Sequence, residues 1–161
     1  MKRRIFIIVL CLLAATAFSQ EENQVYNPNA DAKKDVYEAI AKARQEKKHV
    51  LIQIGGNWCE WCLAFHNFIE SNTVLKSYIH KSYEVVYVNY SKENKNSELM
   101  KTLEYPDRFG FPVFVILDDS GRRIHTQDNS FLIDNREYDL AKVMLFVSAW
   151  TYEAVHPSNN K

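Results

Sequence analysis

The chain is predicted to be α/β, a mixed central sheet with helices on both faces, and three observations lead there. A short run at 49–54 is almost wholly apolar, as in a strand buried on both sides. Helical spacing flanks it, with Val36, Ala39, Ile40 and Ala43 before and the segment 59–70 after. A third apolar run, 113–117, meets the turn Asp118-Asp119-Ser120-Gly121 and a polar strand near 122–126, which makes a hairpin. Strands joined through a helix pair in parallel, and the hairpin adds an antiparallel edge.

The elements follow in order. Residues 20–30 are polar and read as a flexible leader. A helix spans 31–47, with Asn29 or Asp31 as cap. After the strand, Gly55 and Gly56 allow a sharp turn into a helix from 59 to 70. Ser71 or Asn72 then caps a second helical piece running through Tyr78 and Ile79. Residues 83–90, rich in Tyr and Val, form a strand. Residues 94–104 form a short helix capped by Asn96 or Ser97. The stretch 126–135 is polar apart from Phe131, Leu132 and Ile133. A terminal helix covers 136–154, with Leu140, Val143, Val147 and Trp150 on one face, and 155–161 is a polar tail. Tyr83, Tyr87, Phe109 and Phe114 are expected in the core or at its edges. The folded domain is thus 31–154.

Residues 1–19 read as a cleaved export signal: Lys2-Arg3-Arg4, an apolar run from 5 to 15, and small residues at Ala17 and Ser19. That run is short of the roughly 20 residues a bilayer span needs, so the processed chain is expected not to span a membrane. Cys11 follows bulky Leu10, which argues against lipidation. The implied location is periplasmic or otherwise extracytoplasmic. Three of the 20 basic residues leave with the signal, so 17 face 20 acidic ones and the net charge becomes about −3. No basic field invites nucleic acid. About 140 residues suffice for a core without disulfide staples, so the two remaining cysteines invite a chemical reading.

Those cysteines lie in Gly55-Gly56-Asn57-Trp58-Cys59-Glu60-Trp61-Cys62. Where a strand gives way to a helix beginning at Cys59, unpaired N–H groups and the macrodipole favour a thiolate on that residue. Cys62, one turn on, reaches the same sulfur. Disulfide exchange needs this pair: one exposed, acidic sulfur to attack and a second to release the product. Competing readings are an inert bridge and a metal site. Cys59, Cys62 and His66 share one helix face, but a zinc finger wants four ligands, so no metal and no other cofactor is expected. Haem attachment fails because Leu63 follows Cys62.

Trp-Cys-x-x-Cys after a strand, with Gly110-Phe111-Pro112 before a hairpin strand some fifty residues later, resembles the thioredoxin superfamily. More narrowly, the chain is similar to exported bacterial thioredoxin-like proteins and to the thioredoxin-like domain of the membrane thiol:disulfide interchange protein. The match runs over roughly 33–150. The resemblance implies a thioredoxin-like three-layer fold. It further implies Cys59 as attacking thiol, Cys62 as resolving thiol, Trp58 as flanking aromatic, and Pro112 as a cis-proline whose loop faces the cysteines. The Phe111 backbone would pair with extended substrate as a strand adds to a sheet edge, and Trp58, Trp61 and Phe111 would form an apolar collar.

Two departures from the family pattern stand out. Gln53 occupies the strand position where many thioredoxins carry a buried acid, so the proton of Cys62 must go to water, Glu60 or another group, with His66 as candidate shuttle. Glu60-Trp61 replaces Gly-Pro between the cysteines, and a carboxylate beside Cys59 opposes the helix dipole. The expected potential is therefore fairly reducing, nearer the roughly −270 mV of thioredoxin than the roughly −120 mV of a strong oxidant. The expected function is an exported thiol:disulfide oxidoreductase acting on protein thiols and disulfides, in the reductase or isomerase direction, recharged by a membrane electron donor. The alternatives are a binding module that captures extended polypeptide without turnover, and a helper in cytochrome c maturation.

Overall fold

A computed structural model describes residues 24–156. The segment read as an export signal, with Cys11, lies outside the described residues, as do the first residues of the leader and the last of the tail.

Helix α1 (Ala32–Glu46) starts at Asp31, whose carboxylate accepts from Lys34 N, and stops where Lys47 turns left-handed. Strand β1 (His49–Gly55) is buried along its whole length. Helices α2 (Glu60–Ser71) and α3 (Thr73–Ser82) meet at Asn72, which ends the first and caps the second by accepting from Leu75 N at 2.9 Å. Then come β2 (Tyr83–Asn89), the short α4 (Ser97–Thr102), a 3₁₀ turn (Pro106–Phe109), β3 (Val113–Leu117) and β4 (Arg123–Asp128). The sheet order is β2-β1-β3-β4, with β1 parallel to β2 and β3 antiparallel to both neighbours. This is the mixed sheet read from the sequence.

Because side chains alternate across a strand, β1 feeds two cores. Val50, Ile52 and Ile54 join Val113, Val115 and Leu117 against α1 and α4. Leu51 joins Phe114 and Ile116 against α2, α3 and the last long helix. Burial on both faces explains why β1 and β3 read as continuous apolar runs. Gln53 and His49 are the polar residues on the α2 side of β1, each 2% exposed.

The C-terminal third differs from the sequence reading. Residues 136–138 are not helical: β5 (Ile133–Asp134) and β6 (Glu137–Tyr138) form a small separate hairpin. The terminal helix divides into α5 (Leu140–Ala149) and α6 (Tyr152–Val155), because Asp139 and Thr151 each turn a side-chain oxygen onto a backbone N–H and start a new helix. Leu140, expected on the buried face, is 43% exposed, and Phe146 fills that stripe. Phe109 is also turned outward, with the Arg108 guanidinium 4.5 Å from its ring centre. The leader differs too. Within its described part, Tyr26 is fully buried and packs against the cysteines, because its ring finds an apolar slot and its backbone finds partners on Asn57.

Candidate active site

The site stands where β1 ends and α2 begins. Cys59 is the N-cap of α2: its backbone is extended, and its sulfur accepts from Cys62 N at 3.2 Å. Cys59 and Cys62 are joined as a disulfide with Cα atoms 5.2 Å apart. Both are more covered than the sequence suggested, yet unequally: Cys59 keeps 6% of its surface and Cys62 none. Any incoming group therefore meets Cys59 first.

Aromatic rings frame this opening. Trp58, 59% exposed, donates its indole N–H to Tyr90 O at 2.7 Å and meets Phe111 edge-on at 5.6 Å. Tyr90 also lies against Phe111, 4.6 Å between ring centres. Phe111 in turn packs on the cysteine cluster, and its peptide bond to Pro112 is cis. Trp61, 38% exposed, meets Tyr138 edge-on at 5.7 Å, and the Tyr138 hydroxyl bonds Trp61 O at 2.9 Å.

Beneath the sulfurs lies a polar floor. Gln53 Nε2 donates to Tyr26 Oη at 2.6 Å and to Cys62 O at 3.3 Å. Tyr26 is held at both backbone ends by Asn57, which accepts from its N–H and donates to its carbonyl. Gly55 leaves the room: a Cβ there would collide with Cys62 Sγ and stand 3.0 Å from Tyr26 Oη. Burial pushes the Tyr26 phenol well above its ordinary range, with the Gln53 hydrogen bond opposing. It is a neutral hydroxyl at any physiological pH.

A thioredoxin-like family model matches residues 31–119, more than half of the chain. The chain belongs to the thioredoxin-like family. Among solved structures, this thioredoxin-like chain is similar to a disulphide isomerase from Xylella fastidiosa Temecula1. The two are 27% identical over 79% of this chain and 96% of that one, with a TM-score of 0.70. An oxidoreductase named DsbH is 20% identical over 71% of this chain and 82% of its own, TM-score 0.51. A thioredoxin from Thermus thermophilus is 17% identical over 70% and 80%, TM-score 0.51. These last two speak for the fold alone. No curated protein matches. With this family match and the closed Cys59–Cys62 pair, the chain is a thiol:disulfide oxidoreductase.

Of the residues singled out in the sequence of this thioredoxin-like protein, Trp58, Cys59, Cys62 and Phe111 converge, and buried Pro112 adjoins them in the chain. Glu60 is exposed in the first turn of α2. His66 meets β2 instead: its Nδ1 is 3.3 Å from Tyr87 Oη, and its ring meets the Tyr87 ring edge-on at 5.7 Å. Sequence reasoning missed Tyr26, Asn57, Tyr90 and Tyr138. The one signal was Val25-Tyr26, an apolar pair inside a polar leader. Among the described residues, no helix is long and apolar enough to cross a membrane.

Proposed function

We propose that the protein is exported to the periplasm and exchanges disulfides with protein cysteines, with Cys59 as the attacking sulfur and Cys62 as the resolving one. The observation that carries this reading is the closed Cys59–Cys62 pair at a helix start, with the remaining exposure confined to Cys59. In the reductase direction the Cys59 thiolate attacks a client S–S bond, and one client sulfur leaves as thiolate. The Cys62 thiolate then attacks Cys59, the internal disulfide forms, and the second client sulfur leaves. Two electrons have passed to the client. A dithiol donor at the membrane must return them before the next cycle.

The aromatic frame supports a polypeptide client. A cavity of about 510 Å³ lined by Trp58, Tyr90, Lys92 and Lys95 adjoins the frame and suits an apolar side chain next to the client cysteine. Phe111 supplies backbone for an extended segment. Glu60 keeps a carboxylate beside Cys59, which favours a reducing potential, below the roughly −180 mV of the isomerase. Reduction of a protein disulfide such as that of insulin tests the activity. Wild type should turn over and Cys59→Ser should not, while Cys62→Ser should accumulate mixed disulfides that identify the clients. Turnover that survives Cys59→Ser would overturn the assignment. A Cys59→Ser chain that still retains extended polypeptide, from a wild type that never turns over, would favour a binding module.

A further inference from the structure

The buried tyrosine beneath the disulfide carries a role of its own. Gln53 Nε2 faces Cys62 O, which can only accept, so the amide nitrogen and not its oxygen points into the floor. The same nitrogen stands 2.6 Å from Tyr26 Oη, so the phenol oxygen is the acceptor there and its own hydrogen is not spent on Gln53. That oxygen lies 3.0 Å from the point where a Gly55 Cβ would stand, and Cys62 Sγ lies closer still to the same point. Both atoms therefore border the space that glycine leaves open.

We propose that Tyr26 donates its hydroxyl hydrogen to Cys62 Sγ when the disulfide opens, and so stabilises the thiolate of the resolving cysteine. This rests on the exchange chemistry proposed above. When an incoming thiolate forms a new S–S bond to Cys59, the Cys59–Cys62 bond breaks and Cys62 departs with the electron pair. In the other direction, Cys62–SH gives its proton to water, and the thiolate that Tyr26 stabilises attacks the mixed disulfide at Cys59. The internal S–S bond forms, the client sulfur leaves, and the proton of Cys62 ends on that client thiol through water. Tyr26 neither gains nor loses a proton in either step. It is a positioning residue: its hydrogen bond replaces what a buried carboxylate does by accepting a proton, by lowering the cost of the charged sulfur instead.

The surroundings fit a donor and not a base. Tyr26 packs with Val25, Cys59, Cys62, Tyr87 and Phe111 in an apolar cluster. The titratable groups turned toward it are Tyr87 on β2, with His66 of α2 behind, and Tyr138 on β6. Burial raises both of those phenols, so neither competes for a proton. Asn57 fixes the strap at 3.1 and 2.7 Å, which holds the hydroxyl at its post through the cycle.

The test is the titration of Cys62 in the Cys59→Ser background, read from alkylation rate against pH. Tyr26→Phe keeps the ring and should raise that titration by about one pH unit, a thiolate population about tenfold lower at fixed pH. In the two-cysteine protein it should slow release of the mixed disulfide by a similar factor, leaving alkylation of Cys59 unchanged. A fluorotyrosine at position 26, of nearly the same shape and more acidic, should move the Cys62 titration down. It also serves if the phenylalanine chain does not fold. A Cys62 titration indifferent to both changes overturns the inference. A wild type inactive on disulfides, with the titration shifts intact, would instead overturn the exchange reading and leave the hydrogen bond standing.

Discussion

At Gly55 and Gly56 a hydrogen is all the site admits. Any Cβ at Gly55 meets Cys62 Sγ, and one at Gly56 meets the Trp58 ring and stands 3.0 Å from Tyr90 O. Gly55→Ala should cost about 1–3 kcal/mol in denaturant unfolding, as overpacked cores do, and should lower turnover by displacing the resolving sulfur. Trp58→Phe tests the rim separately. It removes the hydrogen bond to Tyr90 O while keeping an aromatic face, so KM for a protein disulfide should rise several-fold with Cys59 alkylation unchanged. The cysteines and Trp58 were legible because a motif fixes residue type and spacing. Tyr90 and Asn57 were not, since the Tyr90 carbonyl takes the Trp58 N–H and Asn57 bonds the Tyr26 backbone twice, contacts that no spacing announces.

At the scale of the element, caps and turns decide where structure stops. Asn72 serves two helices at once, and Asn72→Ala should lower stability by about 1 kcal/mol in thermal or denaturant unfolding. The β3–β4 turn is tied by Asp118, which accepts from Ser120 N at 3.0 Å, Ser120 Oγ at 2.6 Å, Arg122 N at 2.9 Å and Arg122 Nε at 3.0 Å. Burial alone would push its carboxyl up, but these donors together outweigh burial and hold it below the usual range. A carboxyl lower in the folded state than its unfolded value of about 3.9 adds stability that is complete above that value. That stability is lost as pH falls through the folded value. Stability measured from pH 7 downward should therefore fall less steeply below about pH 4 in Asp118→Asn than in wild type. Helix α1 was readable from its period, and β1 and β3 from their unbroken apolar runs. The break at Thr151 and the β5–β6 hairpin were not, because a two-residue strand has no period and a cap within an apolar stretch yields only to tertiary packing.

For the whole molecule, the disulfide closes a loop of three residues' separation, so its chain-entropy contribution is at most about 2 kcal/mol. The two cores on either face of the sheet hold the fold without it. Reductant should thus lower the melting temperature by no more than about 10 °C and leave a single cooperative transition in calorimetry. A collapse of the fold on reduction would make the pair a staple. By itself, the sequence determined the order of strands and helices through β4, the mixed sheet and the dithiol at the mouth of α2, because periodicity and short motifs are local properties of the chain. Only the tertiary structure decided what lies under the sulfurs. Tyr26 and Gln53 are 27 residues apart, and a contact between them exists only once the leader has folded back over β1 and α2. Such a contact depends on the shape of the slot at Gly55, which packing creates and no local pattern encodes.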